Sequence, residues 1–292
     1  MSVPPGAPLA ARVPPEWERA LDELVEPRVV LVVGAAEAGK TTFAAWLANA
    51  LHARGLTVAV VDADVGQSEI GPPATVGFGR VRGPLTRTGD AELLGFEFVG
   101  VTSPGRRPWQ TAQAAGRVAA RARADFDRVI VDTSGFVAGG FAAAVKQRKI
   151  AEVDPDAVVL IQAGDECEHI VRNLAARAGA RVLRLPAIHG TRPRSPADRR
   201  RHRDRALARH LEGALPVVLP VSRVAVHGVT GEAVRLENVL VGAIVALHAE
   251  NGETLALGVV EAIDDGAGTL TVRTTRTPAE IAAVTVGETM AT

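Results

Sequence analysis

The sequence has 292 residues, enough for one large domain or for a large one and a small one. Its 33 Lys+Arg balance its 33 Asp+Glu, and rings make up 3% of it, too few for extensive base stacking. A single cysteine, Cys167, excludes an internal disulfide and fits a reducing cytoplasm, and no run of about 18 apolar residues is present to span a membrane.

Residues 1–14 are rich in Pro and Ala and read as loose; without an apolar run they are expected to be neither a secretion signal nor an anchor. Pro15 opens a short helix over 15–25. RVVLVVG (28–34) is a buried strand running into a glycine turn, a helix follows from Lys40 to about Arg54, and TVAVVDAD (57–64) is the next strand. LGFEFVGVTSP (94–104), DRVIVDTSG (127–135), DAVVLIQAG (156–164) and RVLRLPA (181–187) are further apolar runs, and helical patterns lie between most of them at 108–124, 139–152 and 166–178. Continuous Val/Ile/Leu strands alternating with helices predict an α/β fold whose sheet is mostly parallel and covered by helices on both faces. After Pro216 the texture changes to short alternating strands with NG and DG turns, which predicts a small antiparallel β domain. The expected division is 1–27 as an N-terminal extension with a short helix, 28–215 as the nucleotide-binding domain, and 216–292 as the C-terminal β domain.

GAAEAGKT (34–41) fits the GxxxxGK[ST] pattern of a P-loop, and it sits between a predicted strand and a predicted helix. Gly34 and Gly39 let the backbone of Ala35, Ala36, Glu37 and Ala38 turn its N–H groups onto a triphosphate. Lys40 supplies a point charge to the β and γ oxygens, the Thr41 hydroxyl reaches Mg²⁺, and the helix start through Thr42 adds partial positive charge. The pattern predicts nucleotide binding, and it leaves the reaction open.

Asp62 and Asp64 end the second strand two residues apart, so they face the same way on an extended chain. Two carboxylates aimed at one point repel unless a cation or a transferable proton separates them, and a metal–phosphate centre provides both. One acid can organise the metal and the other can accept a proton from an attacking hydroxyl. The structural alternative is that Asp62 caps the strand and Asp64 shapes the loop. Asp132, at the end of RVIVDTSG, competes with Asp62 for the metal, and the sequence leaves the two level.

From Arg192 to Arg209 there are eight arginines and two aspartates, in a chain that is otherwise balanced. The whole sequence has three lysines, Lys40, Lys146 and Lys149, so it uses arginine almost wherever it needs a cation. Taken alone, the run reads as an ordinary solvated helix.

GAAEAGKTT, VVDADVGQSE followed by GPPATVGFG, FVGVTSPG, VIVDTSGF and the arginine run occur in this order over about residues 28–215. Together they resemble the polynucleotide 5′-hydroxyl kinase family, which contains the RNA kinase subunit of the mRNA 3′-end cleavage factor, pre-ribosomal-RNA processing kinases and archaeal RNA kinases. The C-terminal region is similar to the tail of the ribosomal and archaeal branch. The resemblance implies transfer of the γ-phosphoryl of ATP to the 5′-OH of RNA, and in some members of DNA. It implies Lys40 and Thr41 on the phosphates and Mg²⁺, Asp62 assisting the metal, Asp64 orienting or deprotonating the hydroxyl, and Gln67 supporting that site. It also implies a clasp on the terminal nucleotide from Thr102, Ser103, Gly135 and Phe136, although Phe136 as plain core remains open. The family's basic lid helix has an R-x4-R-x3-R pattern, which Arg194, Arg199 and Arg203 match within an expected lid over about 192–211. On this reading the run becomes a clamp whose guanidinium forks match phosphoryl oxygens. The β-rich domain that precedes the P-loop in eukaryotic members, and helps hold adenine, has only 27 residues in its place here.

Two rivals stay open. A P-loop GTPase or ATPase of another class would explain DTSG, but VVLIQAGDE (158–166) offers no NKxD guanine signature. A non-catalytic ATP- and RNA-binding processing factor would keep the loop without turnover. The expected partners are a 5′-OH oligonucleotide and no membrane, and the sequence specifies no protein partner.

Overall fold

The computed structural model describes residues 13–172, 181–188 and 195–291. Its first strand, β1 (Val29–Gly34), is buried along its whole length. Val29, Leu31 and Val33 point into one core and Val30 and Val32 into another on the opposite side. A strand buried on both faces needs no polar alternation, which is why RVVLVVG reads as an unbroken apolar run.

β1 is flanked in parallel by β5 (Arg128–Thr133) and β6 (Ala157–Gln162). β2 (Val58–Ala63) continues parallel beyond β5, and β7 (Arg181–Pro186) beyond β6. The other two strands, β3 (Thr75–Arg80) and β4 (Glu92–Phe98), run antiparallel and complete the order β4-β3-β2-β5-β1-β6-β7. The sequence reading did not resolve β3. Its TVGFGR carries two glycines, which dilute the apolar pattern, and Gly77 lets the strand pass close under the Ile70 carbonyl. β4 stops at Phe98, so Thr102 and Ser103 belong to the loop after it.

Helices α1 (Pro15–Val25) and α2 (Lys40–His52) cover one face, where Trp17, Phe43 and Trp46 meet ring to ring. α3 (Pro108–Asp125) and α4 (Gly139–Val153) cover the other. Of the predicted 166–178 helix, the described part is α5 (Glu168–Val171). The sheet is thus mostly parallel and lies between two helical layers, as the sequence predicts.

A second sheet follows: β8 (Leu215–Pro220), β9 (Ala225–Gly228), β10 (Ala243–His248), β11 (Thr254–Asp264), β12 (Thr269–Thr274) and β13 (Ala283–Met290), in the order β8-β12-β11-β10-β13-β9. Its ladders are antiparallel except for the parallel β13–β9 pair. The NG turn joins β10 to β11 with Gly252 at φ 80, a left-handed position that suits glycine.

The two sheets are joined by α6 (Pro196–His210), which a Ser195–Asp198 capping box starts. Leu207 packs with Phe96, Ile244, Ala246 and Leu257, and the Leu257 N–H donates to His210 Nε2 at 3.0 Å. Accepting that bond requires a neutral ring, and burial first, with Arg276 second, lowers the His210 pKa to about 4. An unfolded histidine protonates near 6.5, so between those values the unfolded chain binds more protons and stability falls as the pH drops. Thermal unfolding from pH 7 to 4 is expected to show this loss. His210→Gln keeps an acceptor that does not titrate, and its profile is expected to be flatter over the same window. Parallel profiles would remove His210 from the acid response.

Candidate functional site

The P-loop runs from the end of β1 into α2. Gly39 sits at φ 98, and a side chain there would collide with Ile188 just past β7, where a Cβ would lie 2.2 Å from Ile188 Cγ1. The position therefore demands glycine on two grounds, conformation and space. The Lys40 ammonium donates to the Ala35 carbonyl at 2.7 Å, across its own loop, and the Thr41 hydroxyl donates to Asp132 Oδ2 at 2.6 Å. Burial lowers the Lys40 pKa against the pull of Asp132 and Asp64. Gly135, after β5, lies against the P-loop backbone so closely that a Cβ would come 2.5 Å from the Ala36 nitrogen. The DTSG turn thus backs the phosphate loop itself, a stronger constraint than the clasp role implied for Gly135.

Asp62 and Asp132 are neighbours in register on β2 and β5, but their surroundings differ. Asp62 Oδ1 accepts the Asp64 N–H at 3.0 Å, and Oδ2 accepts those of Glu69 and Ile70. Both of its oxygens are spent on shaping the 64–70 loop. Asp132 is 5% exposed, its Oδ2 takes the Thr41 hydroxyl, and its Oδ1 is buried with no hydrogen-bond partner. Burial raises both carboxyl pKa values, that of Asp62 well above the ordinary one, with each acid adding to the effect on Asp62's side. An unsatisfied buried carboxylate oxygen beside a P-loop hydroxyl is what a magnesium-ion shell would satisfy. Among the described residues no group of three His, Cys, Asp or Glu side chains is placed to hold a metal. Magnesium sites on phosphates need only one or two protein carboxylates, so the residues present fit the ion.

Asp64 is fixed through Oδ1, which accepts the N–H groups of Gly66 (2.9 Å) and Gln67 (3.2 Å). The Gln67 amide donates to the Gly66 carbonyl at 2.5 Å. The loop presses on the segment after β4: a Cβ on Gly66 would stand 2.9 Å from the Thr102 carbonyl oxygen. Phe136 is half-buried and meets Phe141 edge to face, with ring centroids 6.0 Å apart. Phe141 is 53% exposed and lies 3.9 Å from where a Gly105 Cβ would be. Phe136 is therefore outside the sheet's two cores, and it forms with Phe141 an aromatic pair beside the Thr102–Ser103 loop. The sequence reading missed Phe141.

It also missed the other two lysines. Lys146 and Lys149 are each 1% exposed on α4. Lys149 donates to the Ala63 carbonyl at 2.7 Å, between Asp62 and Asp64; Lys146 donates to the Thr133 hydroxyl at 2.8 Å, beside Asp132. Burial lowers both pKa values, that of Lys149 to about 8. All three lysines of the chain thus surround three aspartates, which offsets charge that would otherwise be costly to bury. The signal was available in the sequence: rare lysines spaced i,i+3 on the helix face that also carries Ala142, Val145 and Ile150.

The arginine helix is docked rather than free. His202 Nε2 pairs with the Ser68 carbonyl at 3.0 Å, on the loop that carries Asp64, and the C-terminal end is held by Leu207 and His210. Arg199 is exposed and Arg203 half-buried, each within one turn of His202. Arg194 lies outside the described residues. No helix among the described residues is long and apolar enough to cross a membrane.

Residues 34–213 match the family described as mRNA cleavage and polyadenylation factor CLP1 P-loop. The chain is 36% identical over 177 residues to a polyribonucleotide 5′-hydroxyl-kinase of Thermococcus kodakarensis, covering 61% of this chain and 49% of that protein. It is 29% identical over 225 residues to one from Pyrococcus furiosus, covering 76% and 62%. The polyribonucleotide 5′-hydroxyl-kinase Clp1 of Xenopus tropicalis is 30% identical over 201 residues, covering 64% and 44%. The chain thus spans less than two thirds of the length of these curated relatives. A solved structure, the wild-type Clp1p–Pcf11p complex, shares the fold with a TM-score of 0.73 at 13% identity, over 94% of this chain and 77% of that one.

Proposed function

We propose, since this chain belongs to the mRNA cleavage and polyadenylation factor CLP1 P-loop family, that it is an ATP-dependent polynucleotide 5′-hydroxyl kinase acting on RNA, with DNA as a further acceptor. The observation that carries the reading is one cluster at the ends of three adjacent strands. Lys40 and Thr41 lie on the phosphate loop, Thr41 is bonded to Asp132, and Asp64 is held by one oxygen on the neighbouring loop. The acceptor oxygen attacks the γ-phosphorus and the bond to the β-phosphate oxygen breaks, releasing ADP. Asp64 takes the hydroxyl proton on the carboxylate whose Oδ1 is anchored by Gly66 and Gln67. Lys40 and the loop amides stabilise charge on the phosphate oxygens. Mg²⁺, when bound with the nucleotide, supplies charge neutralisation at those oxygens, and Thr41 and Asp132 are the residues that would hold it. We assign the metal to Asp132 rather than to Asp62, and the reading is supported by the Asp62 oxygens, both of which accept backbone N–H groups.

Thr102, Ser103 and the Phe136–Phe141 pair serve as the clasp on the terminal nucleotide, and Arg199 and Arg203 as the cationic cover, with Arg194 joining them by its place in the pattern. Residues 28–215 carry this chemistry, 216–292 form the C-terminal β part, and 1–27 precede both. The single cysteine, Cys167, is a free thiol, which suits a reducing cytoplasm as the place of work.

The test is incubation with γ-labelled ATP, or γ-labelled GTP, and matched 5′-OH RNA and DNA oligonucleotides. Label on the 5′ end of RNA from ATP is expected. Nucleotide binding with no labelled end would leave a binding factor, and turnover restricted to GTP would place the chain in another P-loop class.

A further inference from the structure

The role of the C-terminal sheet is unassigned by anything above. It meets the acceptor side of the site at the segment that follows β4. The β13 residues Glu288 and Thr289 donate to the Gly100 carbonyl, at 2.8 Å from the Glu288 N–H and 3.2 Å from the Thr289 hydroxyl, two residues before Thr102. Arg106 and Arg107, on the far side of the same loop, pair with Glu288. The second sheet therefore braces the loop that carries Thr102 and Ser103.

Between that loop, α6 and the second sheet lies a cavity of about 230 Å³. Arg200, Arg203, Asp204 and Leu207 line it from α6, at the i, i+3, i+4, i+7 spacing of a single helix face. Ile244, Thr289 and Met290 line it from the second sheet, and Thr102 and Pro73 from the kinase side. Two guanidiniums and the acid Asp204 share this lining with Leu207, Ile244 and Met290, of which Met290 is exposed. Thr102 connects the cavity to the loop of Asp64, against which its carbonyl packs.

We infer that this groove between α6 and the C-terminal sheet is the subsite for the nucleotide that follows the 5′-terminal one in a single-stranded polynucleotide. Arg200 takes the phosphodiester on the 3′ side of that nucleotide, and the exposed side chain of Met290 takes the base or sugar. The chemistry matches: a guanidinium fork pairs with phosphate oxygens, while an apolar side chain accepts any base without reading it. The cavity volume is of the order of one nucleoside unit. The inference deepens the kinase reading and rests on it, and it gives the C-terminal sheet a part in acceptor grip even though that sheet carries little positive charge of its own.

The test uses the full chain and two ligands: a 3′-fluorescein-labelled 5′-OH RNA hexamer, followed by anisotropy, and an unlabelled nucleoside 3′-monophosphate as the shortest acceptor, followed by phosphoryl transfer. Met290→Asp puts a repelling acid in the groove from the sheet side and Arg200→Ala removes a cation from the helix side. Each is expected to weaken hexamer binding about tenfold. Arg200→Ala is also expected to lower the slope of log affinity against log salt by about 0.7, the loss of one phosphate contact on a single strand. Transfer to the mononucleotide is expected to stay within about twofold of wild type, since that acceptor ends before the groove. Wild-type hexamer binding and an unchanged salt slope in both variants would overturn the subsite while leaving the kinase reading intact. So would equal losses on the hexamer and the mononucleotide. If wild-type protein neither binds the hexamer nor labels any 5′ end, the kinase reading fails and takes the subsite with it. If it binds without labelling, the hexamer arm still decides the groove.

Discussion

Lys40→Ala and Asp64→Asn are both expected to abolish most phosphoryl transfer, by different routes. The Lys40 ammonium is a preorganised charge at the phosphate loop, and deleting a donor of that kind costs about 10²–10³-fold in rate. On the proposed reading it would also grip the ground-state nucleotide, so Lys40→Ala is expected to weaken ATP binding strongly. Asp64 stands on the 64–70 loop and is anchored by two amides of that loop. Asp64→Asn keeps an oxygen for those amides and removes the base, a loss of about 10²–10⁴-fold in kcat. Its KM for ATP is expected to stay near wild type. Equilibrium nucleotide binding and single-turnover transfer on the same preparations separate the two. Near-normal transfer by Asp64→Asn would remove the assigned base.

The second large effect concerns the metal, for which two carboxylates in adjacent register compete. Asp132→Asn turns the acceptor of the Thr41 hydroxyl into a neutral amide and puts an amide where the unpartnered Oδ1 lies. The Mg²⁺ concentration for half-maximal transfer is expected to rise about 10–100-fold, the usual consequence of losing a group that orients a metal site. Asp62→Asn acts elsewhere. Its amide offers one acceptor oxygen to three N–H groups, so at least one buried donor faces an NH₂. That costs about 1–3 kcal/mol, or a few degrees in Tm for a chain of this size. Its Mg²⁺ requirement is expected to change little. A titration of transfer against Mg²⁺, with melting curves beside it, reads both variants. The reverse result, a Mg²⁺ shift in Asp62→Asn and melting alone in Asp132→Asn, would return the metal to Asp62.

The site's chemistry has a structural counterpart in its charge balance. Three aspartates with little or partial exposure sit beside three lysines, two of which are almost wholly buried and tie down the carbonyl at the end of β2 and the hydroxyl at the end of β5. The lysines offset part of the cost of burying these acids near one another. Lys146 and Lys149 hold the ends of β5 and β2, the strand ends that carry Asp132 and Asp62.

The amino-acid order by itself determined what is local. A glycine-bounded loop between an unbroken apolar strand and a helix forces a P-loop, because hydrogen bonding, left-handed backbone and strand burial are set within a dozen residues. The elements from α1 to α4 other than β3, the parallel core and the change to alternating strands after Pro216 follow from the same short-range periodicities. What depended on pairing at long range was decided by the tertiary structure. Asp62 and Asp132 are equivalent as strand-end acids in the sequence, and only the approach of Glu69, Ile70 and Thr41 tells them apart. Two lysines that look like ordinary helix charges become counterions once α4 lies across β2 and β5. The arginine helix reads as a free lid until Ser68 and the second sheet are folded against it. In each case the deciding quantity is which polar group arrives within about 3 Å of another, and a neighbour distant in sequence leaves no local pattern to announce it.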